Sequence, residues 1–163
     1  MGLLMRREKA VRRGVLRRRW LVNTLVTTFA IVAIAVSAFS LAIYNYYLAT
    51  IAATLESKAQ TAAGMFQNYT ETTYLYAARQ FINQFEEKNT IEVQFLTPDG
   101  EVRMTSLMDI SGATPQGADI EEAIQTKELS TWRGEDTSTQ DYLMAASAPI
   151  VYNGSVVGVV RLV

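Results

Sequence analysis

The feature that most constrains this chain is a run of 36 residues, 20–55, without a single charged side chain. Its densest part, residues 25–43, is apolar enough to cross a bilayer as a helix, which takes about 20 such residues. Trp20 lies at one end, and Tyr44, Tyr46 and Tyr47 lie at the other, as in the aromatic belts at membrane interfaces. The sequence therefore predicts a transmembrane helix over residues 20–47, in contact with membrane lipid.

The basic residues are concentrated on one side of this span. Eight of the 15 Lys and Arg residues precede Trp20, with only Glu8 opposing them. By the positive-inside rule, residues 1–19 are expected in the cytoplasm and residues after about 47 outside it. Such an arginine-rich run can also bind nucleic acid, but beside a span a topogenic role is simpler, so no nucleic-acid partner is expected. A cleaved signal peptide is disfavoured because its apolar core is shorter, about 7–15 residues.

A helical pattern continues beyond the span. Small and apolar residues recur in alternating steps of four and three from Leu48 to Tyr76, which predicts a long juxtamembrane signalling helix over residues 48–89. Its first half carries the residues predicted to form a homodimer contact, which are Ala52, Leu55, Ala59 and Ala62. The alternative is packing on the chain's own domain, as expected for its second half. A helix continuous with a span can pass a displacement across the bilayer.

In residues 90–163 the hydrophobic pattern changes to a period of two, which is typical of β-strands. Predicted strands cover 91–97 and 101–106, separated by the turn Pro98-Asp99-Gly100, and then 130–135, 141–152 and 155–163. Asn153-Gly154 predicts a tight type I′ turn between the last two strands. Between the second and third strands, Asp119 can cap a short helix, with Glu122 as its capping-box partner. Hairpin connections of this kind indicate an antiparallel sheet.

The order of these elements resembles the single Cache (PAS-like) sensor domain of bacterial transmembrane receptors. A membrane helix leads into a long helix, then strand-PDG-strand, a loop, a helix and the closing segment "APIVYNGSVVGVVRLV". The Pro-Ile, the Asn-Gly turn and the Val-Val-Gly-Val-Val strand of this closing segment are the most specific part of the resemblance. The resemblance covers roughly residues 48–163. It implies an α+β fold: a transmembrane helix continues into a long helix on one face of a five-stranded antiparallel sheet, with a ligand pocket on the other face.

This resemblance also implies a function. Members of the family most often feed a second membrane span, a relay module and a histidine kinase. We therefore expect the membrane-anchored extracytoplasmic sensor region of a two-component sensor histidine kinase of the bacterial cell membrane. Two alternatives stay open: the same sensor on a chemoreceptor or a cyclic-dinucleotide enzyme, and a bitopic structural protein of the cell envelope without ligand.

The apolar strand at residues 155–163 suggests a sensor truncated before a second transmembrane helix, since a strand covered on both faces seldom ends a chain. The kinase module of such a parent would use ATP and Mg and act on a response regulator. Within these 163 residues there is no His and no Cys. That composition excludes disulfides, His/Cys metal sites and His-containing triads. We expect no catalytic residue, metal or cofactor in this part.

The sequence favours ligand binding over catalysis. The candidate ligand-binding residues are polar or aromatic residues of the predicted strands: Arg103, Trp132, Arg133, Tyr142 and Ser147. After residue 19 the chain holds seven basic and 15 acidic residues, and an arginine there suits a small carboxylate-type ligand by bidentate pairing.

Arg133, with Tyr142 on the neighbouring strand, is the predicted anchor of the ligand pocket. Strand alternation sends Trp132 and Arg133 to opposite faces. With Trp132 against the long helix, Arg133 would face the ligand side. The alternatives are that the two aromatic residues are ordinary core and that Arg133 pairs with Glu135 or Asp141 at the surface.

Overall fold

The structure of the protein is a computed structural model that describes residues 2–70, 73–87, 89–107, 112, 114–135 and 141–163, with side chains from residue 18 onward. Contacts divide the chain into two compact units, Met1–Tyr47 and Leu48–Val163. Helix α1, Gly2–Met65, contributes residues to both units. The predicted turn at 136–140 and the basic side chains before residue 18 lie outside the described residues.

The first unit includes the apolar part of α1. Every side chain from 18 to 47 is exposed, and those of Leu25 and Phe29 are 73% and 75% exposed. The hydroxyls of Thr24 and Ser37 donate to the carbonyl oxygens four residues earlier, at 2.9 and 2.8 Å, so they need no water. In the described part of the chain, α1 is the one helix long and apolar enough to cross a membrane by length and composition. Its orientation and its end near residue 47 stay predictions.

The helical segment predicted over residues 48–89 is interrupted. Helix α1 ends at Met65, and α2 runs over Tyr74–Gln84. Between them, the Thr70 backbone N–H donates to Oγ1 of Thr73 at 2.9 Å. Side-chain to backbone bonds of this kind compete with the helical ladder. The apolar stripe gave no sign of the break because it continues on both sides of it.

Five strands and a third helix complete the second unit. The strands are β1 Val93–Leu96, β2 Val102–Thr105, β3 Ser130–Glu135, β4 Tyr142–Tyr152 and β5 Ser155–Leu162, and helix α3 spans Ala118–Thr126. All neighbouring strands are antiparallel, in the order β2-β1-β5-β4-β3. These bounds lie within two residues of the predicted ones. The predicted α+β class, with a long helix packed on a five-stranded antiparallel sheet, is confirmed.

The two predicted turns are present. Asn153 and Gly154 have φ angles of 49° and 78°, and positive values at both centres are what a type I′ turn requires. At the other turn, Gly100 has a φ of 83° and donates its backbone N–H to the Thr97 carbonyl at 3.0 Å. Both turns therefore have the geometry that their residues favour.

The larger hydrophobic core lies on the sheet face that packs against α1 and α2. Buried side chains of this face include Phe95 of β1 and Val160 of β5, which share one cluster with Ala59 of α1. Phe66, just after α1, packs edge-on against Phe95 with ring centroids 5.1 Å apart. Burial of these apolar side chains joins the helices to the sheet.

Gly158 makes room for α2 on this face. Tyr74, the first residue of α2, is 1% exposed, and its hydroxyl donates to the Leu96 carbonyl at 3.3 Å. A Cβ at Gly158 would lie 3.0 Å from that carbonyl oxygen and 3.1 Å from Cζ of Tyr74. The glycine of the Val-Val-Gly-Val-Val strand is therefore a packing requirement.

A second, smaller core lies on the opposite face, under α3. It contains Leu96, Val102 and Val159 of the sheet and Ile120 of α3. Because strand residues alternate between faces, Val159 and Arg161 of β5 share this face. Polar residues extend the face beyond the small core, and they form the candidate site.

Candidate functional site

A row of polar side chains crosses the sheet face beneath α3. The strand register pairs Ser130 with Ser147, Ser147 with Arg161, Arg161 with Gln94, and Gln94 with Thr105. Residues directly opposite in antiparallel strands share a face, so each of the five strands contributes one polar residue to this row. The first four are buried, and Thr105 is half-buried.

Arg161 is the centre of the row and forms a buried ion pair with Asp119 of α3. Its Nε donates to Oδ2 of Asp119 at 2.8 Å, and the two side chains are 4% and 0% exposed. Ser147 Oγ donates to the same Oδ2 at 2.7 Å. The guanidinium also donates to Gln94 Oε1 at 3.2 Å and to the Gln116 carbonyl at 2.9 Å. The cluster thus joins β1, β4 and β5 to the start of α3.

The predicted capping box at α3 is wrong. The helix begins at Ala118, and its N-cap, Gly117, makes no side-chain cap bond. Asp119 instead turns its carboxylate to the sheet, and Glu122 accepts a hydrogen bond from Ser130 Oγ at 2.6 Å. A buried guanidinium requires an acceptor, whereas the N–H groups of a first helical turn can also bond to water.

Gly117 allows this arrangement. Its φ is 138°, and a Cβ there would lie 2.2 Å from Asp119 Oδ1 and 3.2 Å from Cδ2 of Trp132. A side chain at this position would therefore collide with the carboxylate that holds Arg161.

The structure brings only some of the predicted ligand-binding residues together: Trp132 and Arg133 line one cavity, and Arg103 and Ser147 are not among the described residues that line it. Trp132 and Ser147 lie on the α3 face, near Gly117 and Asp119 respectively. Arg133 pairs in register with Met144, which packs on the core under α1, so Arg133 lies on the α1 face. Trp132 and Arg133 do face opposite sides, but the sides are the reverse of those expected from the sequence.

Arg103 and Arg133 do not meet. They belong to β2 and β3, the two edge strands of the sheet, with three strands between them. Four inter-strand steps of about 4.8 Å place them about 19 Å apart across the sheet.

Arg133 borders a cavity on the α1 face. This cavity, called here the Arg133 cavity, has a volume of about 240 Å³ and is lined by residues that include Ala52 and Leu55 of α1 and Met144 of β4. Arg133 is the only charged residue among the described residues that line it. The guanidinium carbon lies 5.9 Å from the centroid of the Tyr142 ring, which is 62% exposed. Arg133 and Tyr142 are therefore neighbours, as predicted.

A second cavity, called here the α3 pocket, lies between the β1–β2 turn, the loop before α3 and α3 itself. Its volume is about 380 Å³. Its lining includes Pro98 and Asp99 of the turn, Pro115 of the loop, and Glu121 and Ile124 of the helix. Nothing in the sequence indicated this pocket, because residues 98–100 are separated along the chain from its other walls, residues 114–125.

Most of the residues predicted for a dimer contact pack within the chain. Leu55, Ala59 and Ala62 are 5%, 0% and 2% exposed and belong to the core beneath the sheet, and Ala52 lines the Arg133 cavity. A partner helix could reach the three buried side chains only if the sheet moved away. The homodimer itself stays a prediction.

Comparisons with solved structures give matches to sensory domains. The sensory domain of the Campylobacter jejuni chemoreceptor Tlp3 (CcmL) with isoleucine bound matches 75% of this chain, with a TM-score of 0.50 and 18% identity. The Tlp3 ligand-binding domain in complex with L-valine gives a TM-score of 0.50 at 17% identity over the same share. The ligand-binding domain of the Pseudomonas aeruginosa PAO1 amino acid chemoreceptor PctC, in complex with GABA, matches 71% of the chain at 20% identity, with a TM-score of 0.47.

No family model and no curated protein matches the chain. The chain spans 55% of the length of the Tlp3 domains and 58% of that of the PctC domain. At such identities the likeness establishes the fold alone, which is Cache/PAS-like.

Proposed function

We propose that the residues after about 47 form the extracytoplasmic sensor region of a membrane-anchored signalling protein of the sensor histidine kinase type. The observation that carries the proposal is the fold of Leu48–Val163, a long helix packed on a five-stranded antiparallel sheet in a chain that also holds an apolar helical segment. In this proposal residues 1–19 are cytoplasmic, and an external signal passes across the bilayer to a kinase module that uses ATP and Mg and acts on a response regulator.

A chemoreceptor is the second candidate. It is favoured by the two Tlp3 matches with a TM-score of 0.50, since both are sensory domains of a chemoreceptor. The two candidates share the sensor and differ in the output. The coding sequence after Val163 distinguishes them: a helix with a phospho-acceptor histidine supports the kinase, and a long Glu/Gln-rich coiled coil supports the chemoreceptor.

We further propose that the sensor binds a small carboxylate-type ligand at the Arg133 cavity. The planar guanidinium can donate two parallel hydrogen bonds to a carboxylate. Arg133 forms no ion pair with any residue that the structure describes. Arg161, by contrast, is already bonded to Asp119, so a carboxylate ligand that paired with Arg161 would have to displace an internal carboxylate. The two Tlp3 structures that the chain resembles contain isoleucine and L-valine, and both ligands carry a carboxylate.

The test is a thermal-unfolding series on the full chain in detergent micelles, with L-isoleucine, L-valine and GABA as probes. A ligand that binds only the folded state raises the melting temperature. Arg133→Ala should abolish that rise, while Arg103→Ala, an exposed arginine on the opposite edge strand, should preserve it. If none of the probes raises the melting temperature, or if the rise survives Arg133→Ala, the ligand assignment is refuted.

A further inference from the structure

We propose that the open edge of β3 binds an extended peptide as an added strand, with the C-terminal carboxylate of the peptide on Arg133. The last side chain of the peptide then enters the Arg133 cavity, which lies beside this edge. The inference rests on the carboxylate site proposed above and names its ligand class, peptides with a free C-terminus. In strand addition, main-chain hydrogen bonds supply affinity and a side-chain pocket supplies specificity.

The outer side of β3 is unpaired in the part of the chain that the structure describes. The strand has six residues, and among the described strands its neighbour is β4 alone. Because alternate residues of an antiparallel strand direct their N–H and C=O groups to the same side, about half of the residues of β3 direct these groups away from β4. No backbone hydrogen bond from another described segment reaches them. Such groups can pair with a further strand.

The opposite edge of the sheet, β2, is protected in ways that β3 is not. β2 has four residues, its register with β1 shifts, and its Val102 carbonyl accepts a hydrogen bond from Gly112 N at 2.7 Å. Short strands, bulges and covering loops are common means of protecting an edge. β3 instead pairs with β4 through six consecutive residue pairs without a shift, and it contains no proline or lysine. Its edge is therefore regular enough to accept another strand.

The size of the Arg133 cavity suits a single side chain. Thr131 and Arg133 of β3 line it, and Leu55 of α1, which is 5% exposed, contributes apolar surface. Its volume of about 240 Å³ is below that of sites that enclose a whole small molecule, which are about 300–1,000 Å³. A ligand whose main chain stays outside, on the edge of β3, needs room for one apolar side chain only.

Charge complementarity favours a peptide terminus. Arg133 is exposed near the middle of β3, and it is the only charged residue among the described residues that line the cavity. A charge on an edge strand discourages pairing with an uncharged strand, whereas a terminal carboxylate neutralises the guanidinium through two parallel hydrogen bonds. An internal peptide segment or an amidated terminus lacks this anion. A free C-terminus therefore fits the edge and the cation together.

Three probes test the assignment: the peptide acetyl-Thr-Val-Thr-Leu with a free C-terminus, its C-terminal amide, and N-acetyl-leucine. Each competes with the fluorescein-labelled free-acid peptide for the full chain in detergent micelles, measured by fluorescence anisotropy. We expect the free-acid peptide to bind about tenfold more tightly than the amide, because the amide loses hydrogen bonds to a charged group. It should bind about 25-fold more tightly than N-acetyl-leucine, since two added main-chain hydrogen bonds contribute about fivefold each.

Backbone methylation distinguishes strand addition from other modes of binding. In an added strand, the N–H groups of neighbouring residues point in opposite directions. Methylation of one of the two central amides of the peptide should therefore weaken binding about fivefold, and methylation of the other should have little effect. Equal effects of the two methylations overturn the proposal. Equal binding of peptide and N-acetyl-leucine also overturns it, but leaves the carboxylate site standing if both lose affinity in Arg133→Ala.

Variants of the chain test the two contacts of the peptide terminus. Arg133→Ala should remove the difference between free acid and amide, while Arg103→Ala, an exposed arginine on the protected edge strand β2, should preserve it. Ala52→Leu narrows the cavity and should weaken a peptide that ends in leucine more than one that ends in alanine. An unchanged melting temperature without peptide verifies that each variant is folded. A difference between acid and amide that survives Arg133→Ala refutes both this proposal and the carboxylate site.

A second copy of the chain is the other occupant that the experiment can reveal. Thr131 is exposed on β3, so a cysteine there reports on a neighbouring chain at this edge. Cross-linking between protomers through this cysteine, together with no binding of the labelled peptide, would assign the edge to a second copy and overturn the proposal.

Discussion

Replacing Arg161 by Met should destabilise the sensor domain severely. The Asp119 carboxylate is 0% exposed and would keep a single donor in this cluster, Ser147 Oγ. Removing one partner of a buried ion pair costs about 3–5 kcal/mol because the remaining charge is buried without compensation. Methionine fills most of the volume of the arginine stem, so the cavity contribution is small. We therefore expect the free energy of unfolding to fall by about 3–5 kcal/mol.

The same reasoning predicts a rescue. Asp119→Asn removes the buried charge, so the double variant Arg161→Met/Asp119→Asn should be more stable than Arg161→Met alone. The coupling energy in the double-mutant cycle should be about 2 kcal/mol. Lys58→Met is the control, because the Lys58–Glu87 pair is as short, at 2.6 Å, but is 35% and 47% exposed. An exposed pair contributes only about 0–1 kcal/mol.

Urea unfolding of the full chain in detergent micelles measures these differences. The chain has two tryptophans, Trp20 and Trp132, so a Trp20→Phe background leaves Trp132 as the fluorescent reporter. The comparison requires that the free energy of unfolding falls with urea concentration at the same slope in every variant. The reasoning is refuted if Arg161→Met is no more destabilising than Lys58→Met. It is also refuted if the loss of unfolding free energy in the double variant equals the sum of the losses in Arg161→Met and Asp119→Asn.

Three further outcomes are expected. Gly158→Ala should lower the free energy of unfolding by about 1–3 kcal/mol, since the new Cβ would lie 3.0 Å from a backbone oxygen; an unchanged urea midpoint would contradict the packing argument. For the proposed dimer, a cysteine at exposed Ala53 should cross-link between protomers, whereas one at buried Ala59 should not; the reverse pattern would place the contact elsewhere. Topology reporters fused at Gly2 and Gly100 should give opposite results, and an externally inactive reporter at Gly100 would refute the proposed orientation.

The strands and turns could be predicted from the sequence because their signals are local. Alternating hydrophobicity over residues 91–97 predicted the strand β1, Val93–Leu96, and Asn153-Gly154 specified a turn whose two central residues tolerate positive φ. The break between α1 and α2 was missed because heptad-like apolar positions continue across it. The hydrophobic pattern also does not reveal the hydrogen bond from Thr70 N to Thr73 Oγ1, which lies between the two helices.

The candidate site was harder to predict because it depends on contacts between distant segments. Asp119 and Arg161 are 42 positions apart, and the local pattern around Asp119 fits a helix cap equally well. A lone arginine in the apolar strand β5 was the one available signal, since a buried guanidinium requires a partner. The predicted faces of Trp132 and Arg133 were reversed. Strand alternation shows that neighbouring residues lie on opposite faces of the sheet, but it does not show which face the long helix covers.

The position of β5 in the sheet also has a consequence for how the chain is assembled. It is the fifth strand in sequence but the third in the sheet, between β1 and β4. The hydrogen bond between Gln94 and Arg161 joins residues that are 67 positions apart, and contacts so distant along the chain are slow to form. During synthesis the β1–β2 hairpin and the β3–β4 pair can each form first, but each then presents an unpaired edge that can pair with another chain. Insertion of β5 pairs the free edges of β1 and β4 in one step, so the protection of these two edges from aggregation comes late, after residues 155–162 have been synthesised.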